Sequence, residues 1–150
     1  MNWTATWVTV VSVVLSALLG NLWVPKDALH WFRELRKPGW MIPFQGFLVV
    51  GLIYYILIGV VLYRALDQNN MEAILLTFTV LLGNEAWNWI FFSRRSVRAG
   101  FISMIAFAIP VLALLAAVTK DPLSLVFVSI YFGWVLYDIA WTRALCSLNP

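Results

Sequence analysis

Charge is scarce in this chain. Only 11% of its 150 residues are Asp, Glu, Lys or Arg, while 63% are apolar and 16% aromatic; an ordinary soluble domain is about a quarter charged. So few charges cannot cover a soluble domain, which places the chain among integral membrane proteins. Cysteine and histidine are nearly absent, with Cys146 and His30 the sole examples. An internal disulfide framework and a Cys/His metal spacing are thereby excluded, so no metal site is expected and no cofactor is required. Polar linkers are missing too, so residues 1–150 read as one domain. The ten Lys and Arg residues, which leave a net charge of +3, sit in short connections between apolar runs. Such placement encodes membrane topology and not a nucleic-acid surface. The lipid bilayer is the expected partner, and DNA or RNA is not.

What the chain does have is five apolar runs long enough to cross a hydrocarbon core of about 30 Å, which takes roughly 20 helical residues. They cover Trp3–Val24, Phe44–Tyr63, Ala73–Phe92, Ala99–Val118 and Leu123–Thr142. The first lacks a basic leader and exceeds a signal peptide's apolar core, so it reads as a retained helix. The expectation is an all-α, five-helix transmembrane bundle. Lys26, Arg33, Arg36, Lys37, Arg94, Arg95, Arg98 and Arg143 fall on one side, against Arg64 and Lys120 on the other. That asymmetry predicts a multi-pass protein with its N-terminus outside and its C-terminus in the cytoplasm. Ser12, Ser16 and Gly20 repeat every four residues along the first span, a small-residue stripe suited to close packing inside the bundle.

The connection from Pro25 to Pro43 has room for structure of its own. In DALHWFRELRK, Asp27 is placed to cap a short helix whose apolar face is Ala28, Trp31, Phe32 and Leu35. An amphipathic lid over the bundle mouth has this signature, as does an interfacial anchor. Pro110 in the fourth span reads as a kink.

Polar residues inside the spans carry the chemistry. The stretch LLGNEAWNWIFF puts Asn84, Glu85 and Asn88 into the third span, and Asp138 lies in the fifth. An ionised carboxylate at mid-bilayer costs at least about 2.5 kcal/mol, so such groups face the bundle interior. No Lys or Arg stands in the core of any span to pair with them. Candidate hydrogen-bond partners are Asn84, Asn88, Gln45, Tyr54, Tyr55, Tyr131 and Tyr137. At helical spacing Asn84, Trp87, Asn88 and Phe91 share one face, and Tyr131, Trp134, Asp138, Trp141 and Leu145 form a stripe on the other helix. A polar, aromatic-walled cavity between these spans is the expectation, with bonds that merely join helices as the alternative for each polar group. Trp3, Trp7, Trp23 and Trp40 lie at span ends, as interface-belt anchors do.

HWFRELRKPGWMIP resembles the first-loop signature of the TspO family, WYxxLxKPxWxPP, through Trp31, Leu35, Lys37, Pro38, Trp40 and Pro43. Asn84, Trp87, Phe91 and Phe92 are similar to that family's NxxWxxxFF, and Tyr131, Trp134, Leu148 and Asn149 to its YxxW and terminal LN. The resemblance covers essentially the whole chain. It implies a five-helix bundle, often a homodimer, with an aromatic pocket under the first loop that binds porphyrin, haem or sterol-like ligands. Some members are associated with porphyrin breakdown. Departures from the pattern are Gly51, where the family commonly has a pocket tryptophan, Ile42 in place of a second proline, the acids Glu85 and Asp138, and Trp141-Thr142 in place of Leu-Asn.

The expected ligand site is therefore Trp31, Trp40, Gly51, Tyr54, Asn84, Trp87, Asn88, Tyr131, Trp134 and Trp141. Its expected role is a receptor or sensor for a small, planar, hydrophobic molecule. The alternative is an enzyme in which Glu85 and Asp138 are catalytic proton donors to an isoprenoid or porphyrin, with tryptophan faces stabilising positive charge. NEAWNW followed by a late acid is also similar, over a much shorter stretch, to small integral-membrane terpene cyclases. A proton-coupled carrier ranks last, because the sequence shows neither an internal repeat nor a broken helix pair.

Overall fold

The computed structural model describes residues 2–150, and the secondary structure within them is helical throughout. Five long helices correspond to the five expected spans: α1 Trp3–Trp23, α3 Phe44–Asp67, α4 Met71–Ser93, α5 Val97–Ala117 and α6 Pro122–Leu148. The short α2, Ala28–Glu34, forms in the first connection. Polar side chains start several helices by taking the backbone donors that have no intrahelical partner. Asn2, Asn70 and Ser96 accept from the amides of Ala5, Ala73 and Ala99 at 3.1–3.2 Å. Both α3 and α6 run past the apolar stretches that predicted them, because an arginine such as Arg64 or Arg143 ends an apolar run without ending a helix. Helix α5 is unbroken through Pro110.

Around the bundle the neighbours run α1, α3, α6, α5, α4 and back to α1, with α3 also touching α4. Away from the first loop, Ile58, Val61, Leu62, Val111, Leu114 and Val128 are fully buried. Arg64 closes that end: its Nε and Nη2 donate to the two Asp121 oxygens at 2.7 and 2.6 Å, and Ser124 Oγ donates to Asp121 Oδ2 at 2.6 Å. Close helix approach uses glycine at several places, Gly83 against the Phe107 ring among them. A Cβ on Gly100 would meet the Phe91 ring, and a Cβ on Gly20 would meet the Glu85 carboxylate.

Helix α2 lies over the other end as the amphipathic lid. Ala28 and Phe32 are buried, and Phe32 packs edge-on against Phe91, Phe92 and Trp141 at 5.9–6.3 Å between ring centroids. Asp27 does not act as the expected cap. It stands at the N-cap position with no capping hydrogen bond, and its carboxylate pairs with Arg95, which holds it below its ordinary pKa. A guanidinium is the stronger partner for a carboxylate on this exposed surface. The chain after α2 is tied to the bundle by Asn149, which accepts from the Arg36 amide and donates to the Arg36 carbonyl, both at 3.0 Å. The Ile42 amide donates to Tyr137 Oη at 2.9 Å.

Candidate functional site

Below the lid is a cavity of about 520 Å³, within the range of roughly 300–1,000 Å³ usual for small-molecule sites. Helices α1, α3, α4 and α6 wall it, and Leu29 and Phe32 of α2 form its roof. Gly51, Tyr54, Asn84, Glu85, Trp87, Asn88, Tyr131, Trp134, Asp138 and Trp141 all line it; helical spacing had grouped those of α4 and of α6, and the family resemblance had pointed to Gly51. Trp31 and Trp40 do not. Trp31 packs edge-on against Phe91 at 5.3 Å, because α2 turns Phe32 inward instead. Trp40 is 53% exposed and rests against Tyr137 at 5.8 Å, the position of an interface-belt residue.

Residues that sequence reasoning left out of the site supply most of its remaining surface. Phe44, Phe47 and Tyr55 of α3, Phe92 of α4, and Gly20 and Asn21 of α1 belong to it. The contribution of α1 had a signal in the Ser12, Ser16, Gly20 stripe. Ser16 and Gly20 are buried against Glu85, so that part of the stripe packs within the bundle. Phe47 had none, since one phenylalanine in an apolar run does not declare which way it faces.

The floor of the cavity is a hydrogen-bonded polar cluster. Glu85 is fully buried. Its Oε1 accepts from Tyr55 Oη at 2.7 Å, Asn84 Nδ2 at 3.1 Å and Ser16 Oγ at 3.2 Å, and its Oε2 from Asn88 Nδ2 at 3.5 Å. Tyr131 Oη donates to Asn84 Oδ1 at 3.3 Å, and the Tyr131 ring leans on Tyr54 with centroids 4.7 Å apart. One carboxyl therefore gathers donors from α1, α3 and its own helix, while the asparagine beside it reaches α6.

Asp138 is a different case. Seven residues beyond Tyr131 on α6, it sits about 10 Å nearer the lid and is 8% exposed. Its Oδ1 accepts from Trp141 Nε1 at 2.6 Å, and the Trp134 indole adjoins the same carboxyl. Among the described residues no side chain of another helix hydrogen-bonds it. The rings around it interlock: Phe47 meets Trp134 edge-on at 5.9 Å and Trp141 at 5.5 Å, and Trp87 meets Trp141 at 6.1 Å.

On one side the cavity meets the membrane-facing surface. Helices α1 and α3 touch far from the lid, where Asn2 N donates to Tyr63 Oη at 3.5 Å and a Cβ on Gly59 would contact Val13 at 3.4 Å. Nearer the lid, Leu48 and Leu52, 61% and 64% exposed, share the cavity wall with Ala17 and Val24. A Cβ on Gly51 would meet nothing within 4 Å. Neither His30, which pairs with Glu34 on the exposed side of α2, nor Cys146 lines the cavity. Among the described residues no group of three or more His, Cys, Asp or Glu is arranged to hold a metal ion.

Residues 7–146 match the family model described as TspO/MBR family. A tryptophan-rich protein TspO of Archaeoglobus fulgidus is 26% identical over 144 residues, covering 94% of each chain. Its counterpart in Chlorobaculum tepidum is 30% identical over 139 residues, covering 87% of each.

Proposed function

The chain belongs to the TspO/MBR family, and from that premise we propose that it is a membrane receptor for a flat hydrophobic molecule of tetrapyrrole or sterol-like type. The observation that carries this reading is the cavity itself: about 520 Å³, faced by Trp87, Trp134, Trp141, Tyr54, Tyr131 and Phe47. Rings set edge to face make a slot whose walls suit stacking on a planar partner. The side bordered by Leu48 and Leu52 gives a lipid-dissolved molecule a route that avoids water. With no histidine or cysteine in the wall, a tetrapyrrole would be held by stacking and not through a His or Cys bond to its metal.

Titration of the protein in lipid nanodiscs with protoporphyrin and with a sterol tests it. Binding should quench tryptophan emission, since three indoles face the cavity. Gly51→Trp should fold as the parent does, because the space beside Gly51 is open, and should change the affinity at least about threefold by reshaping the wall. No quenching by either ligand class, with a correctly folded protein, would refute this assignment.

Asp138 supports a second reading, in which its carboxyl protonates an isoprenoid double bond and Trp134 and Trp141 stabilise the carbocation. A cyclised product of unchanged mass, formed from a polyprenyl substrate and lost in Asp138→Asn, would establish it.

A further inference from the structure

The hydrogen bonding of the two acids differs in a way that selects a ligand headgroup. An ionised carboxylate offers about four lone-pair sites. Glu85 meets four donors from three helices, whereas Asp138 meets only the indoles of its own helix, Trp141 at 2.6 Å with Trp134 beside it. Asp138 is also more than nine-tenths buried, faces the cavity, and has no Lys or Arg among the residues lining it. A ligand that presents a positive charge there would supply the missing partner. The indoles of Trp134 and Trp141 and the ring of Phe47 would add their negative faces to the same charge.

We infer that the cavity selects a hydrophobic amine: a planar apolar body carrying a protonated amino group that seats on Asp138 between Trp134 and Trp141. This rests on the proposal that the cavity receives a flat hydrophobic ligand, and it assigns that ligand's polar end. Glu85, whose Oε1 already takes three donors from the surrounding helices, holds the floor and contributes little to the choice of headgroup. A ligand carboxylate is disfavoured beside Asp138, where no cation lines the cavity, so an acidic ligand would have to turn its carboxylates away from that end.

Three fluorescent probes of nearly one shape separate the two claims: 9-(aminomethyl)anthracene, 9-anthracenemethanol and anthracene-9-carboxylate. Binding is measured to the full chain in neutral phosphatidylcholine nanodiscs, with empty nanodiscs subtracted. The amine should bind at least about tenfold more tightly than the alcohol, and the carboxylate more weakly than either. In Asp138→Asn the amine should lose at least about tenfold while the alcohol stays within about threefold, because the amide keeps the shape and removes the charge. Glu85→Gln should preserve the preference for the amine. Equal binding of all three probes to the wild type would overturn the headgroup assignment and leave the flat-ligand reading standing. Failure of all three to bind would remove both. Should Asp138→Asn fail to fold, the order of the probes on the wild type still decides the question.

Discussion

The two ends of the bundle hold buried acids by different means. Away from the lid, Asp121 is gripped by the Arg64 guanidinium through two short bonds, with Ser124 adding a third. Below the lid no cation is available, and Glu85 is ringed by neutral donors from several helices while Asp138 meets only indoles of its own helix. At a bundle end the long arginine side chain can keep contact with water while it binds the acid. Inside the spans a cation would itself need burial, so neutral hydroxyls and amides do the work. The lesson is that an acid's unfilled capacity, and not its burial, separates a group that holds helices from one that can meet a ligand. Glu85 and Asp138 are both buried, yet their demands on the surrounding protein differ.

The largest expected effect lies where α1 meets Glu85. A Cβ on Gly20 would stand where the Glu85 carboxylate is, and three donors pin that carboxyl in place. Gly20→Val should destabilise by about 3 kcal/mol or more, at the upper end of overpacking effects. Adding Glu85→Ala removes the obstructing group, so the double variant should be more stable than the sum of the single effects. Thermal unfolding in a mild detergent measures both. Strict additivity would show that Gly20 and Glu85 do not share the space.

Next in size is the contrast between truncated acids. Glu85→Ala leaves Tyr55, Ser16 and Asn84 facing an emptied, buried site and should lose about 2–4 kcal/mol. Asp138→Ala frees only the Trp141 N–H, beside a cavity that already exists, and should lose about 1 kcal/mol. Comparable losses in the two variants would erase the distinction between a structural and a ligand-facing acid.

Asp121 belongs to the cationic end and titrates accordingly. The hydrogen bonds from Arg64 are the main cause that holds its carboxyl well below the usual carboxylate range, with Ser124 contributing. A pKa depressed in the folded state stabilises the protein above the unfolded value of about 3.9, and that stabilisation is lost as pH falls below it. Asp121→Asn should therefore lower stability by about 1–3 kcal/mol at pH 7. It should also flatten the decline of melting temperature below about pH 4. A wild-type curve that falls no more steeply than the variant's would show that Arg64 and Asp121 are not coupled.

Much of this was readable from residue order, because membrane helices leave few options for backbone or for polar groups. Apolar run length found the five spans, and helical spacing put Asn84, Trp87, Tyr131, Trp134 and Asp138 on faces that meet. The partners of each acid were harder to read. Tyr55 and Asn84 were expected candidates for Glu85, but Ser16 was not, because the Ser12, Ser16, Gly20 stripe marks a closely packed face of α1 without saying which helix or which residue it meets. Asp138 bonds Trp141 on its own helix, three residues on, although tyrosines and amides, Tyr131 and Tyr137 of the same helix among them, were the expected donors. Trp31 and Phe32 are adjacent aromatics on one short helix, and the roll of α2 against Phe91 and Phe92 decided which one roofed the cavity.

The smallest expected effect gives the sharpest test of the comparison. In Glu85→Gln the amide oxygen can occupy the place of Oε1 and keep the bonds from Tyr55, Asn84 and Ser16. The new NH₂ then lies where Oε2 had only the long contact with Asn88. An Asn88 amide turned by half a rotation offers that NH₂ its carbonyl oxygen, so no buried donor need be stranded. An amide also carries no charge to desolvate at a site without a cation, which offsets its weaker acceptor strength. Stability should stay within about 1 kcal/mol of the parent, and binding of a flat ligand should be unchanged. A loss above about 2 kcal/mol would mean that the donors around Glu85 are held by a full negative charge. Glu85 would then be as much a charged site as Asp138, and the division of labour between the two acids would fail.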